Sequence, residues 1–111
     1  MSKKYREELN TLLLQIDIGY DIEIQVKPFF GGAAAYANGH IFLSLTKVGF
    51  AAKLAAADCQ ELLQMDGAKK LQYFPKAPIK KEYVVLPDYM VNDLDSLRQW
   101  VLKSLAYVTE Q

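Results

Sequence analysis

The sequence predicts a two-layer α+β domain, with three helices covering one face of an antiparallel sheet of five to six strands. Three observations carry that expectation. Apolar residues recur at helical spacing near both ends of the chain. Between the ends, short runs alternate in polarity or gather aromatic and β-branched residues, as strands do. The first of these runs are joined by connections too short for a parallel crossover. With 111 residues, 51% hydrophobic and 23% charged, one domain over residues 1–111 is expected and a disordered chain is excluded.

Ser2 is placed to cap a helix over Lys3–Ile16, in which Tyr5, Leu9, Leu12, Leu13 and Ile16 make one apolar stripe. Gly19 suits the left-handed position after it. The period then changes to two. Ile22, Ile24 and Val26 alternate with Glu23, Gln25 and Lys27, the pattern of a half-buried strand, and Pro28 is expected to end it. Asn38-Gly39 is a type I′ turn signal, which sets Ala37 opposite His40, Tyr36 opposite Ile41, Ala35 opposite Phe42 and Ala34 opposite Leu43. Small residues facing large ones predict close packing over the alanine strand. Gly31-Gly32 marks a bend or bulge where that strand begins.

A strand over Phe50–Leu54 and a helix over Ala56–Met65 follow, the helix turning Cys59, Leu62 and Leu63 inward and ending by Gly67. Leu71–Phe74 and Tyr83–Leu86 are the last strands, separated by the stiff Pro75-Lys76-Ala77-Pro78 loop. Asn92 is the expected N-cap of a final helix, with Asp93 and Asp95 in its first turn. Leu94, Leu97, Val101, Leu105 and Val108 form its buried stripe, with Trp100 beside it.

The chemistry is sparse. Thirteen Lys/Arg balance thirteen Asp/Glu, so no global basic field draws the chain to nucleic acid or anionic lipid. The one histidine, His40, lacks a placed partner for general-base work. His40 and Cys59 are too few for a zinc site without several carboxylates. Cys59 is flanked by Asp58 and Glu61, which disfavours a thiolate. No catalytic residue, metal or cofactor is expected. The basic Met1–Arg6 start is followed by Glu7, Glu8 and Asn10 rather than an apolar leader core, and Val48–Ala57 is too short to span a bilayer. A cytoplasmic location, away from membranes, is the expectation.

One segment departs from the even charge. Lys69, Lys70, Lys76, Lys80 and Lys81 fall in a stretch with no acid between Gly67 and Lys81, and Tyr73, Phe74 and Tyr83 lie among or beside them. Lysines with interleaved aromatics can hold single-stranded nucleic acid. The same lysines also suit a solvated strand edge.

The run PFFGGAAAYANGHIFLSL, from Pro28 to Leu45, resembles the N-terminal domain of the TfoX/Sxy family of bacterial competence regulators. Its motif residues here are Phe29, Phe30, Gly31 and Gly32, with Phe29 where the family favours Met. The Lys53-Leu54 strand end, Tyr83–Pro87 and the LRQWVLKSL helix (Leu97–Leu105) keep the family's order and spacing. The resemblance covers nearly the whole chain. It implies helices on one side of an antiparallel sheet, similar to secretion chaperones, and a structural role for the motif. It also implies an N-domain standing alone, since the regulators carry a second, helical domain and this sequence stops at Gln111.

The leading expectation is therefore a non-enzymatic regulatory domain that binds an unidentified protein through the uncovered sheet face or an edge strand, with a two-fold homodimer through the same surface as a related outcome. Two rivals stand beside it. One is a nucleic-acid accessory module using Lys69–Lys81 and Tyr73. The other is a small-ligand domain or unrecognised enzyme with an apolar cleft near Phe29, Phe30 and Tyr36. Core packing is the plain role for both Phe29 and Phe30.

Overall fold

The structure is a computed structural model that describes residues 2–18 and 21–110. Gly19 and the Ser2 side chain, to which the sequence assigned a helix stop and a cap, lie outside what is described. Helix α1 (Ser2–Leu14) is followed by strands β1 (Ile24–Phe29), β2 (Gly32–Ala37), β3 (His40–Thr46) and β4 (Gly49–Lys53). Helix α2 (Ala56–Leu63), strands β5 (Lys69–Leu71) and β6 (Lys80–Val85), a short helix α3 (Asp88–Val91) and helix α4 (Leu94–Thr109) complete the order. The six strands form one antiparallel sheet in the order β1-β2-β3-β4-β6-β5. The α+β class and the antiparallel sheet are as expected; α3 is an addition.

Three successive two-residue turns build the β1–β4 meander, at Phe30-Gly31, Asn38-Gly39 and Lys47-Val48. The sequence signalled the second as a hairpin and the first only as a bend. Pro28 does not end β1. It pairs with Ala33 inside the strand. The pair flanking a two-residue turn, Phe29 and Gly32, shares the ladder bonds, so the missing N–H of Pro28 falls on the outward edge, where none is needed.

The expected β2–β3 register holds only next to the turn. Ala37 faces His40 and Tyr36 faces Ile41, but Ala35 then faces Leu43 and Ala34 faces Ser44. Phe42 is the extra residue of a bulge, which turns both Phe42 and Leu43 into the main core. Its carbonyl accepts a 2.8 Å bond from Ser104 Oγ of α4. Beyond the bulge Ser44 and Thr46 point to the opposite face.

The main core lies between the helices and one sheet face. Leu9 and Leu13 of α1 meet Ala33, Ala35 and Ala37, whose missing bulk lets the helix close on β2, while Trp100, Val101 and Leu105 of α4 pack in the same cluster. The expected α1 stripe is all in or against this cluster. Cys59 and Leu62 of α2 join it, and Ala55 supplies no side-chain cap. Asp93, not Asn92, caps α4, its Oδ2 accepting from the Ser96 N–H and hydroxyl; Asn92 instead closes α3. Leu94, assigned to the buried stripe, is 49% exposed in the first turn of α4. Tyr73 and Phe74 lie beyond β5, which ends at Leu71.

A candidate docking cleft on the helix-free face

The second sheet face has its own small core of Ala51, Leu71, Tyr73 and Val85, with Phe29, Val48 and Tyr83 packed against it. Register puts Tyr83 beside Lys53 and Val85 beside Ala51 on this face. The segment between β5 and β6 folds over part of it. Gln72 Nε2 donates to the carbonyls of Pro75 and Ala77 at 3.0 and 2.8 Å, tying the proline-rich loop into an arch. Tyr73 drops from the arch onto the sheet, where its hydroxyl lies 3.0 Å from Ser44 Oγ in a buried hydrogen bond. This face is therefore only partly open.

The motif residues meet the arch there. Phe30 and Gly31 sit at φ 46° and 76°, both in the left-handed region. That region is easy for Gly31 and costs an ordinary L-residue roughly 1–2 kcal/mol. Gly32 is needed for another reason: a Cβ there would collide with the Leu45 carbonyl and lie 2.8 Å from Thr46 Cα. Phe29 is half-buried against the small core. Phe30 corrects the core expectation, because its ring is 66% exposed. The Phe29 and Phe30 centroids are 4.7 Å apart, and the two rings approach Tyr73 at 5.6 and 5.0 Å.

Two clefts flank Phe30. One, of about 270 Å³, lies between Phe29, Phe30, Tyr36, Ile41, Tyr73 and Tyr83, with Lys80 on its rim. The other, of about 200 Å³, is bounded by Phe30, Thr46, Lys47, Tyr73 and the 53%-exposed Phe74. Lys27 Nζ stands 5.2 Å over the Tyr36 ring and Lys53 Nζ 6.0 Å over Tyr83, within cation–π range. Burial, ahead of the charges of nearby Tyr73 and Glu82, pushes Tyr83 up to about 12. Burial also raises Tyr73, with the Ser44 hydrogen bond acting the other way. Both phenols are neutral near pH 7 and serve as walls and hydrogen-bonding groups.

Among the lysines singled out in the sequence, all five are exposed. Lys80 rims the first cleft, and Lys69 and Lys70 border a groove with Lys47, Val48 and Val85. Lys76 and Lys81 line neither place. Tyr73, grouped with them as a nucleic-acid contact, is 8% exposed and packed by Phe29 and Phe30. The contributions of Lys27, Ile41 and Lys47 were not singled out. The alternation Gln25-Lys27-Phe29 opposite Ile24-Val26 carried the signal for Lys27, and the expected pairing of Tyr36 with Ile41 beside the Asn38-Gly39 turn, which the structure keeps, carried it for Ile41.

The two groups considered for chemistry sit elsewhere. His40 is exposed beside the Asn38-Gly39 turn. The Cys59 thiol is buried and donates to the Leu54 carbonyl at 3.5 Å. Burial, reinforced by Asp58 and Glu82, raises its pKa, so the protonated form is favoured. Among the described residues no three His, Cys, Asp or Glu side chains gather to hold a metal, and no helix is long and apolar enough to cross a membrane.

Sheet order and one-sided helices define a two-layer α+β domain with an aromatic cleft on its partly open face. Residues 22–107 match the family model described as the TfoX N-terminal domain, and the chain belongs to that family. No curated protein matches the chain.

Proposed function

We propose that this domain is a non-enzymatic interaction module of the competence-regulator type, working in the cytoplasm by docking a protein on the helix-free face. One observation carries the reading: Phe30 is held in a backbone region that disfavours it, with its ring in solvent between two apolar clefts. Strain of this kind gathers at binding and catalytic positions, and exposed aromatics over small pockets are typical anchors of protein interfaces. A second copy of the chain is one protein such a face could take.

The test is site-specific photocrosslinking in the native cell. A photoreactive phenylalanine replaces Phe30 or Phe74, and in a control replaces Gln99, which is exposed on α4. Discrete protein adducts from positions 30 and 74, absent from position 99, are expected. Equal labelling from all three positions, or no protein adduct from 30 and 74, rejects the reading.

The 270 Å³ cleft also favours a second reading, a small apolar ligand held among Phe29, Phe30 and Tyr36. It predicts a ligand that co-purifies with the wild-type domain and is lost from Tyr36→Ala.

A further inference from the structure

The charges are balanced over the chain but not over this face. The two clefts beside Phe30 and the adjoining groove are lined by four lysines, Lys47, Lys69, Lys70 and Lys80, and by no acid. Lys27 adds a fifth cation above Tyr36. None of these five has a carboxylate within ion-pair distance among the described residues; the ion pairs there use Lys53 and Lys103. Acids lie outside the clefts. Glu82 accepts from Tyr107 of α4 and pairs at 3.9 Å with Lys53, whose ammonium stands over Tyr83. Asp58 and Glu61 of α2 hold Lys103, and Asp88, at the start of α3, lines a further groove that shares Lys47 and Lys69 with this face, away from Lys27 and Lys80.

Resting on the docking reading above, we infer that the occupant of this face is an acidic peptide segment. It places an aromatic or leucine side chain in the cleft between Phe30, Tyr36 and Tyr83, and its carboxylates on Lys27 and Lys80. The clefts are the size of side chains, and their apolar walls exclude water from one anchor. Unpaired lysines around an apolar slot give charge complementarity, which sets partner choice and speeds association. The ring geometry separates this occupant from single-stranded nucleic acid. Phe29 meets Phe30 and Tyr73 edge-on at 74°, and Tyr73 is buried. Of the rings around the clefts, only Phe30 and Phe74 are largely exposed. Phe29, Tyr36 and Tyr83 are half-buried walls of the slot, whereas successive bases need a row of open faces to stack on.

The test is selection from a displayed library of short random peptides on the wild-type domain and on Lys27→Glu/Lys80→Glu. Lys3→Glu/Arg98→Glu is the control with the same change in charge on the helix side. Wild type and control are expected to enrich acidic peptides bearing an aromatic residue or leucine. A synthesised winner loses about tenfold in affinity to the Lys27/Lys80 variant, weakens as salt rises, and binds the control within about twofold. All four altered residues are exposed, and thermal melts confirm that both variants stay folded. Enrichment of neutral or basic peptides, or the same peptides on both variants, overturns the inference while leaving protein docking standing. Failure to enrich any peptide also overturns it, and the photocrosslinking then decides separately whether docking itself survives. Binding of oligothymidylate with the same lysine dependence, and of no peptide, replaces the peptide with nucleic acid.

Discussion

Phe30 shows how one side chain can be placed against its own backbone preference. Its neighbour Gly31 accepts positive φ freely, but a phenylalanine at φ 46° does not. Truncation to two different small residues separates turn from ring. Phe30→Gly and Phe30→Ala lose the same contacts, yet the glycine variant is expected to be more stable by about 1 kcal/mol, the reverse of the usual order in regular structure. Urea midpoints compare them directly. Tyr83 gives a prediction in pH. Its folded-state pKa is about 12 against an ordinary 10.0. The folded protein therefore keeps a proton that the unfolded chain releases, and stability contributed below pH 10 is lost as pH rises from about 10 to 12. Urea midpoints across that range should fall, and less steeply for Tyr83→Phe. Of these residues the sequence named Phe30 as a motif position and missed its exposure. Large aromatics generally go inward, and only the two-residue count between Phe29 and Gly32 reveals that Phe30 must sit in a turn.

At the scale of the element, the arch between β5 and β6 depends on one buried polar contact. Tyr73→Phe leaves the Ser44 hydroxyl without its partner, and Ser44→Ala does the same to Tyr73; each is expected to cost about 1–3 kcal/mol. The double variant should cost less than the sum, and a denaturation double-mutant cycle measures that coupling. Gly32→Ala pushes a methyl into the Leu45 carbonyl of the neighbouring strand. A loss of about 2–3 kcal/mol is expected, read as a lower thermal midpoint. Helices α1 and α4 were legible from their apolar spacing, because each buries one stripe against a single sheet, whereas the four-residue α3 is too short to show a period. The strands were legible as elements and less so in register. A bulge at Phe42 moves every later pair by one residue, and no local pattern marks it. It is supported from far along the chain by Ser104. The β5 boundary failed for a related reason. Tyr73 and Phe74 have strand-like side chains, but the two carbonyls held by Gln72 curl the backbone out of the ladder.

Over the whole molecule, a formal net charge of zero conceals an uneven arrangement, with lysines gathered around the clefts. Wild-type protein is expected to be retained on a cation exchanger at neutral pH and low salt. Lys27→Glu/Lys69→Glu/Lys80→Glu should flow through. Lys3→Glu/Lys4→Glu/Arg98→Glu, with the same net charge, should remain retained; equal elution of the two variants rejects the charge-patch account. The zero total was legible from composition, and Lys69, Lys70 and Lys80 from their acid-free segment; Lys27 and Lys47 were not, because they join the patch from β1 and the β3–β4 turn. The meander has a consequence for the time course of folding. β1 to β4 join through tight turns and zip together over short chain distances, whereas β6 reaches β4 only after a span that includes α2 and β5 has been closed. The arch and the wall formed by Tyr83 are thus expected to assemble after the meander and to open before it. An occupant of the slot holds that late segment shut, so amide exchange should slow most in β5 and β6 on binding, far more than in the hairpins that supply the other wall.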